Sequence, residues 1–116
     1  MRGWLFKAAQ NARNWQKRYC ILRPEGIFYF SDDKSLSDPR GIIPILGLIS
    51  LSLATTTAAQ KKMPTRFCFS INRRNPKTPS DDFCRLFAAE SEEQKLWWLA
   101  AIRLAKVSKY MNNNKK

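Results

Sequence analysis

Two cations stand in rows that strand alternation reserves for apolar side chains. Gly3-Trp4-Leu5-Phe6-Lys7 has the composition of a strand, and Trp15 to Leu22 has that of the strand after it. Successive side chains on a strand point to opposite faces. Lys7 therefore shares a face with Leu5, and Arg18 shares one with Cys20 and Leu22. A cation at the end of an inward row costs free energy unless the row opens at a mouth where an anion meets it. The chemistry favoured is capture of a multiply charged anion. Equipment for bond making is missing from the sequence. It contains no His, so no His-paired Ser or Cys nucleophile exists. Cys20, Cys68 and Cys84 lack metal-ligand spacing, and the four Gly form no phosphate-cradling loop. The acid pairs Asp32-Asp33, Asp81-Asp82 and Glu92-Glu93 belong to turns and a helix start. No enzymatic activity, cofactor or metal is expected.

The charge balance agrees with an anionic partner. Formal net charge is +12, with 21 Lys and Arg against 9 Asp and Glu. No acid lies between Arg40 and Ser80, where Lys61, Lys62, Arg66, Arg73, Arg74 and Lys77 all fall. Such an excess suits nucleic acid, an anionic membrane or an acidic protein without choosing among them. The 116 residues suffice for one domain and its core. No apolar run approaches the roughly 18 residues that span a bilayer, so any membrane contact is peripheral. No signal peptide is expected ahead of the first strand pattern. Three cysteines in strand-like runs predict reduced, buried thiols and a cytoplasmic protein. The domain is expected over residues 1–110 with a flexible tail at 111–116, as an excised module of a larger protein.

The elements that must position Lys7 and Arg18 are seven short strands and one helix. The strands are expected near Trp4–Ala8, Trp15–Leu22, Ile27–Ser31, Gly41–Ile45, Leu48–Ala54, Arg66–Asn72 and Phe83–Ala89. Arg23-Pro24-Glu25-Gly26 is a turn, and Pro44 marks its strand as an edge or a bulge. Ser91 as N-cap with Gln94 at the third helical position forms a capping box. Trp98, Ala101, Ile102 and Ala105 then make one apolar stripe. Strands followed by a lone helix predict a strongly bent antiparallel sheet with one end plugged by that helix. The loops after strands one, three and six share the open end. They bring Arg13, Lys34, Arg40, Arg73, Arg74 and Lys77 around the mouth that Lys7 and Arg18 line. Trp97 and Leu104 point away from the stripe, either covering sheet edges or forming a partner surface.

In this order and at these spacings, GWLFK, NWQKRYCILRPEGIFYF, DPRGIIPI, RFCFSI and RLFAAESEEQKLWWLAAIRLA resemble a pleckstrin homology domain, with Trp98 matching the family's helix tryptophan. The motifs are closest to phosphoinositide-binding, cytohesin-like members. The resemblance implies a mainly β fold, a seven-stranded bent antiparallel sheet capped by one C-terminal helix. It also implies headgroup binding between the loops of the open end. Lys7 matches the lysine that ends strand one, and Arg18 the arginine of strand two. Tyr29 matches a phosphate-bonding tyrosine of strand three. Arg40 matches an arginine with the same task in cytohesin-type domains, and Arg13 a basic loop position there. The chain departs from the pattern at Gln16, where tight binders carry a cation. A neutral amide bonds phosphate about half as strongly as a charged group, so modest affinity is implied. Lys17, pointing to the other face, joins Lys34, Arg73, Arg74 and Lys77 as a secondary basic patch.

The resulting expectation is a non-catalytic membrane-targeting module, recruited to membrane phosphoinositides as part of a larger signalling or adaptor protein. The alternative is a protein-interaction domain with weak or no specific lipid binding that uses the helix surface at Trp97 and Leu104. Nucleic acid is not expected, because the paired aromatic strands of RNA-recognition sheets are missing.

Overall fold

The computed structural model describes residues 1–8, 14–45, 48–52, 63–73 and 83–113. Aromatic and β-branched runs form β1 (Arg2–Ala8), β2 (Trp15–Arg23), β3 (Gly26–Phe30), β4 (Gly41–Pro44), β5 (Leu48–Ser52), β6 (Phe67–Arg73) and β7 (Phe83–Ala89), and α1 (Glu92–Asn113) follows them. The expected mainly β order with a C-terminal helix is what forms. The strands make one antiparallel sheet in the order β4-β3-β2-β1-β7-β6-β5. The first strand is thus central and paired on both sides. The strands β4 and β5, consecutive in the chain, lie at opposite edges. Pro44 is accommodated because β4 is an edge, where its missing N–H interrupts no second ladder. β1 starts earlier than expected, at Arg2, and α1 continues to Asn113, three residues past the domain end set from the sequence.

The inner face of the sheet supplies Leu5, Cys20, Ile27, Ile43, Phe69, Ile71 and Phe87 to the core, and α1 lays Trp98, Leu99 and Ile102 against them. The rings of Phe69 and Phe87 stack at 5.5 Å. At Gly26 a Cβ would overlap the backbone carbonyl of Ile43, so only glycine lets β3 and β4 approach this closely. Cys20 and Cys68 are buried, but Cys84 is exposed, which corrects the expectation of three buried thiols. The reason is alternation: Phe87 faces the core, so Cys84, an odd number of positions away, faces out.

The helix begins where the capping box predicts. The Ser91 hydroxyl accepts the Gln94 backbone N–H at 3.0 Å. The Gln94 side chain reaches back to accept the Glu90 N–H at 2.8 Å, one residue before the cap. Its amide nitrogen donates to the Trp4 carbonyl at 3.2 Å, tying the helix start to β1. The buried stripe is Trp98, Leu99 and Ile102 with Ala105 partly buried, so Leu99 joins the expected set and Ala101 lies at its margin. Trp97 and Leu104 are 58% and 68% exposed, so neither covers a sheet edge. Among the described residues no helix is long and apolar enough to cross a membrane.

Candidate anion-binding site

Register decides which side chains meet at the open end. Lys7 lies opposite Gln16 on β2 and opposite Phe87 on β7, while Arg18 lies opposite Leu5. Tyr29 lies opposite Cys20. Lys7, Gln16, Arg18 and Tyr29 therefore occupy the same face as the core residues. The Lys7 ammonium sits 4.7 Å from the centre of the Tyr29 ring, although their strands are separated by β2. Contact across an intervening strand requires the sheet to curl there.

Arg85 belongs to this cluster and was not anticipated from the sequence. It stands two residues before Phe87 on the inward row of β7, half-buried. The signal that finds it is the one that found Lys7 and Arg18: a cation alternating with Phe87 and Ala89. Burial holds the Lys7 ammonium below its usual 10.5, and repulsion from Arg85 and then Arg18 adds to the effect. Three cations from three neighbouring strands thus share one field. Beneath them, burial pushes the Cys20 thiol up to about 12, against the opposing pull of Lys7 and Arg18. The thiol is neutral at physiological pH and offers them no counter-charge. Among the described residues neither Lys7 nor Arg18 is paired with a carboxylate.

Gln16 has a part that composition did not suggest. Its carbonyl oxygen accepts the Arg18 Nη2–H at 2.6 Å, and the Lys17 backbone carbonyl takes Nη1–H at 3.4 Å. The guanidinium is held by neutral acceptors, which orient it and leave its charge intact.

Tyr29 is positioned by a close approach. A Cβ at Gly41 would overlap the tyrosine hydroxyl and ring, so the side chain lies across the Gly41 backbone, facing Lys7. The Arg40 N–H donates to the Tyr29 carbonyl at 2.8 Å, while the Arg40 side chain is exposed at the start of β4. Ala at a strand glycine ordinarily stabilises, by about 0.5–1 kcal/mol. Here Gly41→Ala is expected to reverse that sign and cost about 1–3 kcal/mol by overpacking. A thermal melt checks this, with a fall of several degrees expected and a rise contradicting it.

The remaining expected positions are dispersed. Lys34 sits in the β3–β4 loop, where its N–H and that of Ser35 donate to Asp32 Oδ1 at 2.8 and 3.0 Å. These two bonds, Ser35 first, hold the Asp32 carboxyl below the usual carboxylate range. Lys17 points to the outer face, 3.5 Å from Glu90 Oε1 and over the Trp4 and Phe6 rings at 5.4 and 5.9 Å. It is engaged there with a carboxylate of its own chain. Arg73 ends β6, but its side chain, together with Arg13, Arg74 and Lys77, lies outside the described residues. Trp97 and Leu104 are on α1. Leu104 faces the β2–β3 turn at the opposite end of the sheet from Lys7.

Residues 1–107 match the family model described as PH domain. Among curated proteins, the chain is 30% identical over 108 residues to Abnormal cell migration protein 10 of Caenorhabditis elegans, covering 91% of this chain and 14% of that protein. It is 28% identical over 114 residues to Growth factor receptor-bound protein 14 of Bos taurus, covering 97% of this chain and 21% of that protein. It thus spans only a minor part of each relative. The fold is similar to the crystal structure of the C-terminal PH domain of pleckstrin in complex with D-myo-Ins(1,2,3,5,6)P5, with a TM-score of 0.71, 23% identity, and 91% and 93% of the two chains covered.

Proposed function

As the chain belongs to the PH domain family, we propose that it is a non-catalytic membrane-targeting module that holds a phosphoinositide headgroup at the open end of its sheet. The observation that carries this is the convergence of Lys7, Arg18 and Arg85 on the core-facing side of three adjacent strands, where burial first, and then the field of Arg85 and Arg18, holds the Lys7 ammonium below its usual range. Like charges held together above a neutral floor repel one another, and an entering polyanion relieves that repulsion. Lys7 and Arg18 clamp phosphates, and Tyr29 donates its hydroxyl. Arg40 and Arg13 close over the ligand from the loops, as in cytohesin-like members. The complex of a similar pleckstrin domain with an inositol pentakisphosphate supports the same class of ligand. Lys34, Arg73, Arg74 and Lys77 add a diffuse attraction, about 1 kcal/mol each when close to an anionic leaflet. In the whole protein the module recruits signalling or adaptor domains to the membrane.

The test is sedimentation with vesicles carrying different phosphoinositides, at low and high salt. A headgroup preference that survives high salt is expected. Equal binding to any anionic vesicle, lost at high salt, would reduce the site to a basic surface. The sign of the pH dependence is also fixed. Bound phosphate raises the Lys7 pKa, so binding takes up a proton once the free ammonium has titrated. Affinity therefore falls as pH climbs through the lowered Lys7 value toward 10.5. A protein partner is the second possibility, favoured by the exposure of Trp97 and Leu104 on α1. Absence of vesicle binding would promote it to first place.

A further inference from the structure

We infer that the cavity between α1 and the β2–β3 turn binds a medium-chain carboxylate, with the alkyl chain along its apolar walls and the carboxylate on the Lys109 ammonium. The cavity lies at the opposite end of the sheet from Lys7, so the inference is independent of headgroup binding.

Lys109 repeats on the helix the anomaly that Lys7 shows on β1. Trp98, Ile102, Ala105 and Lys109 recur at i, i+4, i+7 and i+11, along the row that α1 turns toward the sheet. Trp98 and Ile102 are fully buried, Ala105 packs against the core, and Lys109 ends the row half-buried. An ammonium drawn partly out of water beside apolar side chains gains from an anion placed next to it. Among the described residues none supplies one. Glu25, the acid of the β2–β3 turn, does not line the cavity, and Lys109 makes no ion pair with it or with any other described carboxylate.

The cavity has the size and lining of a small-molecule site. It holds about 400 Å³, within the roughly 300–1,000 Å³ of ligand pockets. Leu22 and Pro24 form one wall, and Ala101, Leu104 and Ala105 form the other. The two alanines leave the space open, since a larger side chain at either position would project into it.

The polar groups at the rim match a ligand with a single negative charge. Ser108 brings a hydroxyl donor and Lys109 an ammonium. Arg23 also borders the cavity, but its guanidinium is engaged 4.8 Å from the centre of the Phe28 ring. A phosphate dianion would therefore be half neutralised, whereas a carboxylate is matched by Lys109. A peptide fits less well, because a buried main chain needs hydrogen-bonding partners. The Leu22 N–H already donates to the Met1 carbonyl at 2.9 Å, and the main chain of α1 bonds within the helix.

Titration of the isotopically labelled chain with octanoate in physiological salt, followed by nuclear magnetic resonance, tests the site. Saturable shifts are expected at Leu22, Ala101, Leu104 and Ala105. Affinity is expected to rise about two- to fourfold for each methylene from pentanoate to octanoate. Lys109→Met keeps the stem and removes the charge. It is expected to weaken octanoate by about tenfold or more, the worth of a charged hydrogen bond, and to spare 1-octanol. Ser108→Trp, which enters the cavity from an exposed position, is expected to block both probes. Melting temperature confirms that each variant is folded. Shifts confined to Lys7 and Arg18, shifts that acetate reproduces at equal concentration, or an octanoate affinity unchanged by Lys109→Met would each overturn the inference.

Discussion

Arg18→Ala is expected to lower affinity for phosphoinositide vesicles by roughly ten- to a hundredfold while leaving the fold intact. The expected loss rests on the guanidinium being held from two sides, by Gln16 Oε1 and by the Lys17 carbonyl. Its orientation is set before a ligand arrives, so little side-chain entropy opposes binding. A hydrogen bond to a charged group is worth about 1.5–3 kcal/mol, and each 1.4 kcal/mol is about a factor of ten. Truncation removes the charge and leaves a neutral floor of Cys20 beneath, so no buried anion is stranded. Isothermal titration with a soluble inositol polyphosphate measures the change. Lys17→Ala is the control, because Lys17 lies on the outer face beside Glu90. Equal losses from both substitutions would mean that total charge, not the inner-face cluster, governs binding.

Trp98→Ala is expected to cost about 3–5 kcal/mol of stability, the range for deleting a buried tryptophan or phenylalanine from a core. Trp98 is fully buried and contributes the largest side chain where α1 meets the sheet. Domains of this size have about 5–15 kcal/mol in total, so the variant is left close to unfolding. Trp97→Ala, one residue away, removes a side chain that is 58% exposed and is expected to change stability by at most about 0.5 kcal/mol. Urea denaturation separates the two, with the Trp98 variant losing about 1–3 M in midpoint. Similar shifts for both would contradict the assignment of faces on the helix.

The same adjacent tryptophans show what the sequence made legible. Helical periodicity alone put Trp98 inward and left Trp97 between a sheet edge and an open surface, which its 58% exposure decides, and the capping residues located the helix start. Strand alternation put Lys7 and Arg18 on the core side, where the register has them. Arg85 obeys the same rule, but its proximity to Lys7 arises only once β1 pairs with β7. That pairing joins segments some eighty residues apart, and no local pattern announces it. Gln16 was legible as a missing charge and not as a brace, because its role depends on the side-chain geometry of Arg18. Leu99 escaped the expected stripe because a helix lying on a curled sheet buries a wider arc than a narrow seam does. The contact between Tyr29 and Gly41 was equally hidden, since it depends on how β3 and β4 lie against each other.

The central position of β1 gives the domain two unlike handles. Seven residue pairs join β1 to β2, and β7 grips its other side. Tension applied at the amino end must shear those ladders with many bonds loaded at once. At the carboxyl end, α1 runs out through residues that are mostly exposed, from Val107 to Met111, and would peel away one turn at a time. Drawn from opposite sides, the domain would therefore yield from its helix while its first strand, with Lys7, held fast.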